Sequence, residues 1–389
     1  MLVDPGHLLT GRTQLKRAKA VLTGILVTAG LVLLHHITVS AAAKPADPTE
    51  AADLAAFAKL APIDTHAHVF QDSPEFYHML ERLNMHIVNI DVVDQHGQPF
   101  ERMPFSHQFQ INLTVHRHSG GRAAICTSFD PYSFNQPGFA QQVIRQLNQN
   151  FREGAVAVKI WKNIGMELKW PSGKYVLPDD PIFEPIYKDI AAHHKTMIAH
   201  LAEPDVAWKP FPKIAGNPDY NYYRHNPFWH MVDKPGAPSK AQILAARDHL
   251  VAENPGLRVV GAHLGSMETD VNQVAQRLDR YPNFAVDTAA RVRYLMAQPR
   301  DKVRAFLIKY QDRVLYGTDD GISPTANATE EIKSWEEELA MQWKYFATDE
   351  TFEYEGLKVH GLKLPPEVLR KLYHENAVRW IPGVLGVGK

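Results

Sequence analysis

Five short apolar runs, each closed by a side chain able to ligate a metal, constrain this chain more than any other feature. They are Pro62-Ile-Asp-Thr-His66-Ala-His68, Val156-Ala-Val-Lys159, Met197-Ile-Ala-His200, Val259-Val-Gly-Ala-His263 and Val314-Leu-Tyr-Gly-Thr-Asp319. A continuous apolar run of this length is the pattern of a parallel strand buried on both faces. A His, Lys or Asp where such a strand ends is costly to bury unless it binds something. Together the runs deliver six ligand-type side chains to one end of a sheet. That is the description of a metal site at the mouth of a barrel, and of an enzyme.

Beyond residue 62, apolar runs alternate with amphipathic stretches of helical length, the pattern of βα units. Strands are expected at 63–65, 85–93, 123–129, 155–160, 196–199, 258–262, 284–286 and 314–317. Intervening helices are expected at 74–84, 139–152, 181–194 with Asp180 as N-cap, from Ser239 onward, 269–280 and 299–310. Eight such units over about 260 residues predict an α/β fold, a (β/α)8 TIM barrel. Two further helices, 330–345 and 367–380, form a C-terminal helical extension. Two insertions interrupt the scheme. Segment 204–238, dense in Pro, Trp, Tyr and His, suits a pocket wall or lid. Segment 94–121 carries no legible role.

With 389 residues, 45% hydrophobic, 22% charged and a net charge of -1, the composition is that of a globular protein. It gives no electrostatic footprint for nucleic acid; the partner expected is a small-molecule substrate, with homo-oligomerisation open. The single cysteine, Cys126, excludes an intramolecular disulfide. At the N-terminus, Arg12, Lys16, Arg17 and Lys19 precede an apolar stretch, 20–34, and small residues follow at 40–43. This is the layout of an export signal, with an uncleaved membrane anchor as the alternative. The expected divisions are therefore a signal or anchor at 1–43, a linker at 44–59 with part of it a short helix, and the barrel with its helices at 60–381. An exported protein, periplasmic or secreted, is implied.

His66 and His68 follow a strand, where residues i and i+2 project to the same side, so both imidazoles can reach one ion. The triplet His116-Arg117-His118 instead precedes a strand, which excludes it from the same rim. His200 and His263 close equivalent strands. Of the adjacent acids Asp319 and Asp320, the first is favoured as ligand and proton acceptor. Glu203, Asp287, Arg291 and Arg293 are candidates for the surrounding shell, with Arg291 able to hold an anionic substrate. Trp161, Tyr222, Tyr223, His225 and Trp229 are candidate pocket-lining residues. Lys162 is expected to be a solvated or substrate-steering charge, and Glu268 and Asp270 to be first-turn helix acids. The terminal Gly383–Lys389 has the letters of a phosphate loop but no helix to follow it, and no Gly-x-Ser-x-Gly elbow is present.

The five strand-end motifs, in this order, resemble the amidohydrolase superfamily, and specifically its amidohydrolase-related (amidohydrolase 2) branch. The resemblance spans 60 to about 381 and includes Leu372-Tyr-His-Glu-Asn376-Ala-Val-Arg379-Trp. It implies metal ligation by His66 and His68, by His200 and His263, and by Asp319, which would also be the catalytic base. In two-metal relatives a carboxylated lysine on the fourth strand bridges the ions, the place of Lys159. In one-metal relatives a lysine there binds substrate. One or two Zn2+ ions, or Mn2+ or another divalent ion, are both compatible with this chain.

The activity implied is metal-dependent hydrolysis of a small-molecule amide, lactone or ester, with Asp319, His263 and Lys159 as catalytic residues. Trp161, Glu203 and Arg291 would contact substrate. Two alternatives stand beside it: metal-dependent decarboxylation of an aromatic or muconate-type acid, and a non-catalytic, exported metal-binding barrel.

Overall fold

A computed structural model describes residues 48–96 and 103–386. The signal or anchor expected at 1–43 and the last three residues of the Gly383–Lys389 stretch lie outside the described residues. No helix among the described residues is long and apolar enough to cross a membrane.

Nine strands form one curled, all-parallel sheet: β1 (Ile63–Val69), β2 (His86–Ile90), β3 (Ala123–Thr127), β4 (Ala155–Ile160), β5 (Thr196–Ala199), β6 (Arg258–Gly261), β7 (Phe284–Asp287), β8 (Val314–Leu315) and β9 (Gly321–Ile322). Sequence-adjacent strands pair from β1 through β8, and β9 pairs with β1. β3, β4, β5 and β7 are buried along their whole length, which is why they are predominantly apolar. Register levels their ends. Ile160 pairs with Ala199, Ala199 with Gly261 and Gly261 with Val286. Residues just beyond this row are therefore delivered to one rim of the sheet.

The expected strand 314–317 is interrupted. β8 ends at Leu315, the chain bulges, and β9 resumes at Gly321. The segment still runs along β1: Thr65 N donates to Tyr316 O (2.9 Å), Asp319 N to His66 O (2.8 Å) and His68 N to Asp320 O (2.9 Å). These bonds link the two ends of the curled sheet in the manner of a TIM-like barrel. A Cβ on Gly321 would lie 2.0 Å from His68 O, so only glycine admits this approach.

Helices fill the connections largely where amphipathic periodicity places them. Pro74–Arg82 is capped by Ser73, and Lys240–Glu253 starts with a capping box from Ser239 and Gln242. The helix expected at 181–194 is shorter, Glu184–Ala192; Asp180 accepts from Ile182 N and Trp170 Nε1 and so caps the turn ahead of it. Segment 94–121 contributes a helix, Phe105–His118, that holds His116 and His118 away from the rim. The aromatic insertion breaks into four short helical turns between Asp205 and Trp229.

Two elements go beyond expectation. Residues 48–58, in the linker expected to include a short helix, form a helix whose Leu54 and Phe57 are buried. The Phe57 ring meets Tyr373 at 5.2 Å and Tyr316 at 6.0 Å, so the helix packs against the segments that close the sheet. A hairpin, Thr351–Tyr354 with Leu357–His360, turns at Glu355 and Gly356, both at positive φ. The expected C-terminal helices are present as Ala328–Ala347 and as a helical run from Pro366 to Trp380 that passes through a wider turn at Lys371–Glu375.

Candidate metal centre

The levelled strand ends assemble the six expected side chains on the rim. His66 is fully buried, and its Nε2 lies 2.8 Å from Lys159 Nζ and 3.3 Å from Asp319 Oδ1. His68 Nε2 lies 3.3 Å from the same oxygen. Beside them, the His263 ring lies tilted at 4.8 Å from that of His66 and edge-on at 4.2 Å from that of His200. His66, His68, Lys159, His200 and Asp319 line a cavity of about 340 Å³, together with Trp161 and Tyr222.

The buried partners of the imidazoles select their tautomers. His66 Nδ1 lies 3.0 Å from Asp287 Oδ2 and His68 Nδ1 3.0 Å from Ile90 O. Both acceptors require a proton on Nδ1, which leaves each Nε2 with a free lone pair. His263 Nδ1 donates to Ala289 O (2.9 Å), so its Nε2 accepts from His200 Nδ1 at 3.2 Å. That leaves His200 Nε2 unprotonated, buried and without a hydrogen-bond partner. Burial pushes the basicity of His66, His200 and His263 well below the usual imidazole range, so all three are neutral.

This donor set fits a divalent cation. Ligand atoms about 2.0–2.2 Å from a tetrahedral ion are roughly 3.4 Å apart. The two imidazole nitrogens stand at close to that distance from Asp319 Oδ1. Asp287 completes the carboxylate–histidine arrangement that fixes a ligand's orientation. The same ring and carboxylate form a second potential group, His66, His263 and Asp287. Lys159, buried, is lowered to about 8 chiefly by desolvation, so a neutral amine is accessible near neutral pH.

Local backbone geometry aims these groups. His263, Leu264, Gly265 and Ser266 all adopt positive φ, a left-handed turn that costs roughly 1–2 kcal/mol at each non-glycine residue. It is held by His263 N donating to Asp287 Oδ1 (2.7 Å) and by Ser266 Oγ donating to Ala202 O (2.9 Å). Asp319 is also left-handed, at φ 72. Asp64 anchors the bulge below it, accepting from His66 N (2.9 Å) and Thr318 N (3.1 Å), and burial raises it to about 7.

The wider candidates separate. Lys162 is buried rather than solvated: it contacts Glu203, donates to the Tyr222 hydroxyl at 2.8 Å and sits over the rings of Trp161 and Trp229. Glu203 takes the Tyr223 hydroxyl on its other oxygen. Tyr223 and Trp229 are buried behind the cavity, while His225 is exposed. Arg291 is buried, donates to Ala290 O and is not among the residues lining this cavity. Arg293 contacts Glu355. Glu268 is not a first-turn acid; it is fully buried and pairs with Lys240 at 3.0 Å, whereas Asp270 does cap Val271–Arg280. Sequence reasoning left the positioning roles of Asp287 and Asp64 unassigned. The signal for Asp287 was available, since Phe284-Ala-Val-Asp287 is another apolar run ending in a ligand-type residue.

A family model described as amidohydrolase matches residues 63–382. The chain belongs to the amidohydrolase family. Its relatives in that family are metal-dependent enzymes, and the described residues of the rim include His and Asp groups that could hold a metal ion. Among solved structures, a crystal structure of an amidohydrolase II is similar at 13% identity, with 82% of this chain and 99% of that chain covered and a TM-score of 0.50. The 4-oxalomesaconate hydratase of Rhodopseudomonas palustris is 12% identical, with 82% and 95% covered and a TM-score of 0.46. The 5-carboxyvanillate decarboxylase of Novosphingobium aromaticivorans, complexed with manganese and 4-hydroxy-3-methoxy-5-nitrobenzoic acid, is 14% identical, with 82% and 95% covered and a TM-score of 0.44. Curated protein sequences yield no match.

Proposed function

We propose that the protein is a metal-dependent hydrolase on a (β/α)8 barrel, acting on the C–N or C–O bond of a small-molecule amide, lactone or ester. The observation that carries this is the convergence of His66 Nε2, His68 Nε2 and Asp319 Oδ1 at the cavity wall. His66, His68 and Asp319 would hold one ion, with His200, His263 and Lys159 available to it or to a second. A divalent ion held there would supply Lewis acidity and make a water a stronger nucleophile near neutral pH. Asp319, ionised and open to the cavity, accepts the proton of the attacking water and returns it to the leaving group. Lys159 faces the cavity where its amine can donate to the substrate carbonyl, while His200 presents an unprotonated, unpartnered Nε2 suited to metal ligation. Trp161 and Tyr222 form an aromatic wall. The N-terminal signal makes export to the periplasm or beyond part of the same proposal.

A second reading, decarboxylation of an aromatic or muconate-type acid, draws on Lys162. This buried cation lies in the same wall among the rings of Trp161, Tyr222 and Trp229, a setting suited to a planar carboxylate. Metal analysis of residues 44–389, beside a His66→Ala/His68→Ala control, tests the centre. One or two divalent ions per chain, lost in the control, are expected. Hydrolysis of an ester, lactone and amide panel against carbon dioxide release then separates the two readings. Failure to retain Zn2+ or Mn2+ after reloading would remove the basis for both.

A further inference from the structure

A second cavity, about 690 Å³, shares Asp319 and Asp320 with the first. Its lining is strongly acidic, with Asp219, Glu337, Glu338 and Glu355 joining those two residues, against one base, Arg293. Most of these charges are accounted for. Arg293 contacts Glu355, Glu337 reaches Lys333 at the surface (3.6 Å), and Asp219 accepts the Tyr294 hydroxyl near Arg291. Asp320 and Glu338 form no ion pair among the described residues. Glu338 has only neutral donors: Gln342 Nε2 at 2.6 Å and the Tyr354 hydroxyl at 3.1 Å.

Two buried acceptors in this lining also lack donors. Gln342 is 2% exposed, and with Nε2 committed to Glu338, its Oε1 has no hydrogen-bond partner. Asp320 Oδ2 is likewise buried and unpartnered. An orphan acceptor beside an unpaired carboxylate asks for a group that brings several N–H donors and a positive charge. A bare metal ion suits it less well, because the described clusters of three ligand atoms all include His66. Met341 and Val292 offer apolar wall for an alkyl stem.

We propose that this chamber binds an organic cation, a primary ammonium or guanidinium on an alkyl stem. The substrate class that follows, resting on the hydrolase proposed above, is an ester or amide whose cationic end lies here while its carbonyl faces the metal centre across Asp319. The two acids then divide the labour: Asp319 serves the metal side and Asp320 the cation side.

The test is calorimetric titration of the metal-loaded chain with butylguanidinium and butylammonium, with butyrate as the control of equal length. Saturable binding of one cation per chain, at least tenfold tighter than butyrate, is expected. Gln342→Leu removes the orphan acceptor, and Met341→Trp fills the chamber without changing its charge. Each should weaken cation binding at least tenfold while metal content and melting temperature stay near wild type. If either variant fails to fold, the other decides, and the discrimination against butyrate is measured on the wild type in any case. Cations that do not bind to metal-replete protein, or bind no better than butyrate, overturn the proposal, as does binding unchanged in a folded variant. Failure of the hydrolase reading registers separately, as absent metal or inert ester and amide panels, with cation binding intact.

Discussion

Asp287 is not expected to touch substrate, yet Asp287→Asn should disable the metal centre. One carboxylate oxygen, Oδ1, accepts from His263 N (2.7 Å) and Ala289 N (3.2 Å), while Oδ2 faces His66 Nδ1 at 3.0 Å. An asparagine must keep its carbonyl oxygen on the two backbone donors, because the amide nitrogen cannot accept. Its NH2 then points at His66 Nδ1 and forces that nitrogen to be the acceptor. The proton moves to Nε2, the atom that must carry the lone pair for the ion. Loss of such an orienting partner costs 10–100-fold in metal affinity, about 1.4–2.7 kcal/mol. Stability should change little, since both backbone bonds survive. Asp287→Ala, by contrast, strands two buried N–H groups at about 1–3 kcal/mol each and should lower the denaturation midpoint markedly. A chelator-competition titration beside urea melts of the three proteins reads both quantities. An asparagine variant that binds Zn2+ as tightly as wild type would falsify the tautomer argument.

Lys159 and the Lys162–Glu203 pair give further predictions. In the metal-free protein, burial holds Lys159 at about 8 against 10.5 unfolded, so the unfolded chain binds the extra proton between those values and stability rises with pH across that window. Below pH 8 the full penalty, about 3 kcal/mol, is present, so Lys159→Met should stabilise the metal-free chain at pH 7 and flatten the pH 8–10.5 slope in urea melts. No change in that slope would count against a buried, protonatable amine. Glu203→Gln should cost about 3–5 kcal/mol in the same assay because it leaves the buried Lys162 ammonium unpaired, and Lys162→Met in the same chain should recover much of the loss.

The parts of this molecule that were legible in the sequence share one property: their signal is local. His66, His68, Lys159, His200, His263 and Asp319 each end an apolar run, and burial on both faces of the sheet makes the run visible. What was illegible depends on partners far along the chain. Asp287 matters because of His66, which is 221 positions away, and Glu268 is a buried ion-pair partner only because Lys240 reaches it from another helix. Lys162 reads in the sequence as a solvated or substrate-steering charge because nothing adjacent announces Glu203 or the Trp229 ring. The helix at Pro48–Ala58 is legible only as a short helical part of a linker, because its alanine- and acid-rich composition suits both, and only Phe57 hints at docking. The hairpin was overlooked despite a usable cue, Glu355-Gly356 between alternating residues.

The interrupted strand before Ile322 has a consequence for how the protein comes into being. Asp319 meets His66 and His68 only because its bulge lies along β1, with Gly321 seated against the His68 carbonyl. Those groups are some 250 residues apart, and a contact of such separation forms late, after the costly closure of a long loop. Up to that moment the chain holds histidines but no complete cage. A nascent or half-folded molecule would therefore capture metal weakly and without discrimination, and only the finished barrel presents carboxylate and imidazoles together. On the ligand set proposed above, joining the ends of the sheet and arming the centre are one event, so tightly held metal would certify that the last strand has docked.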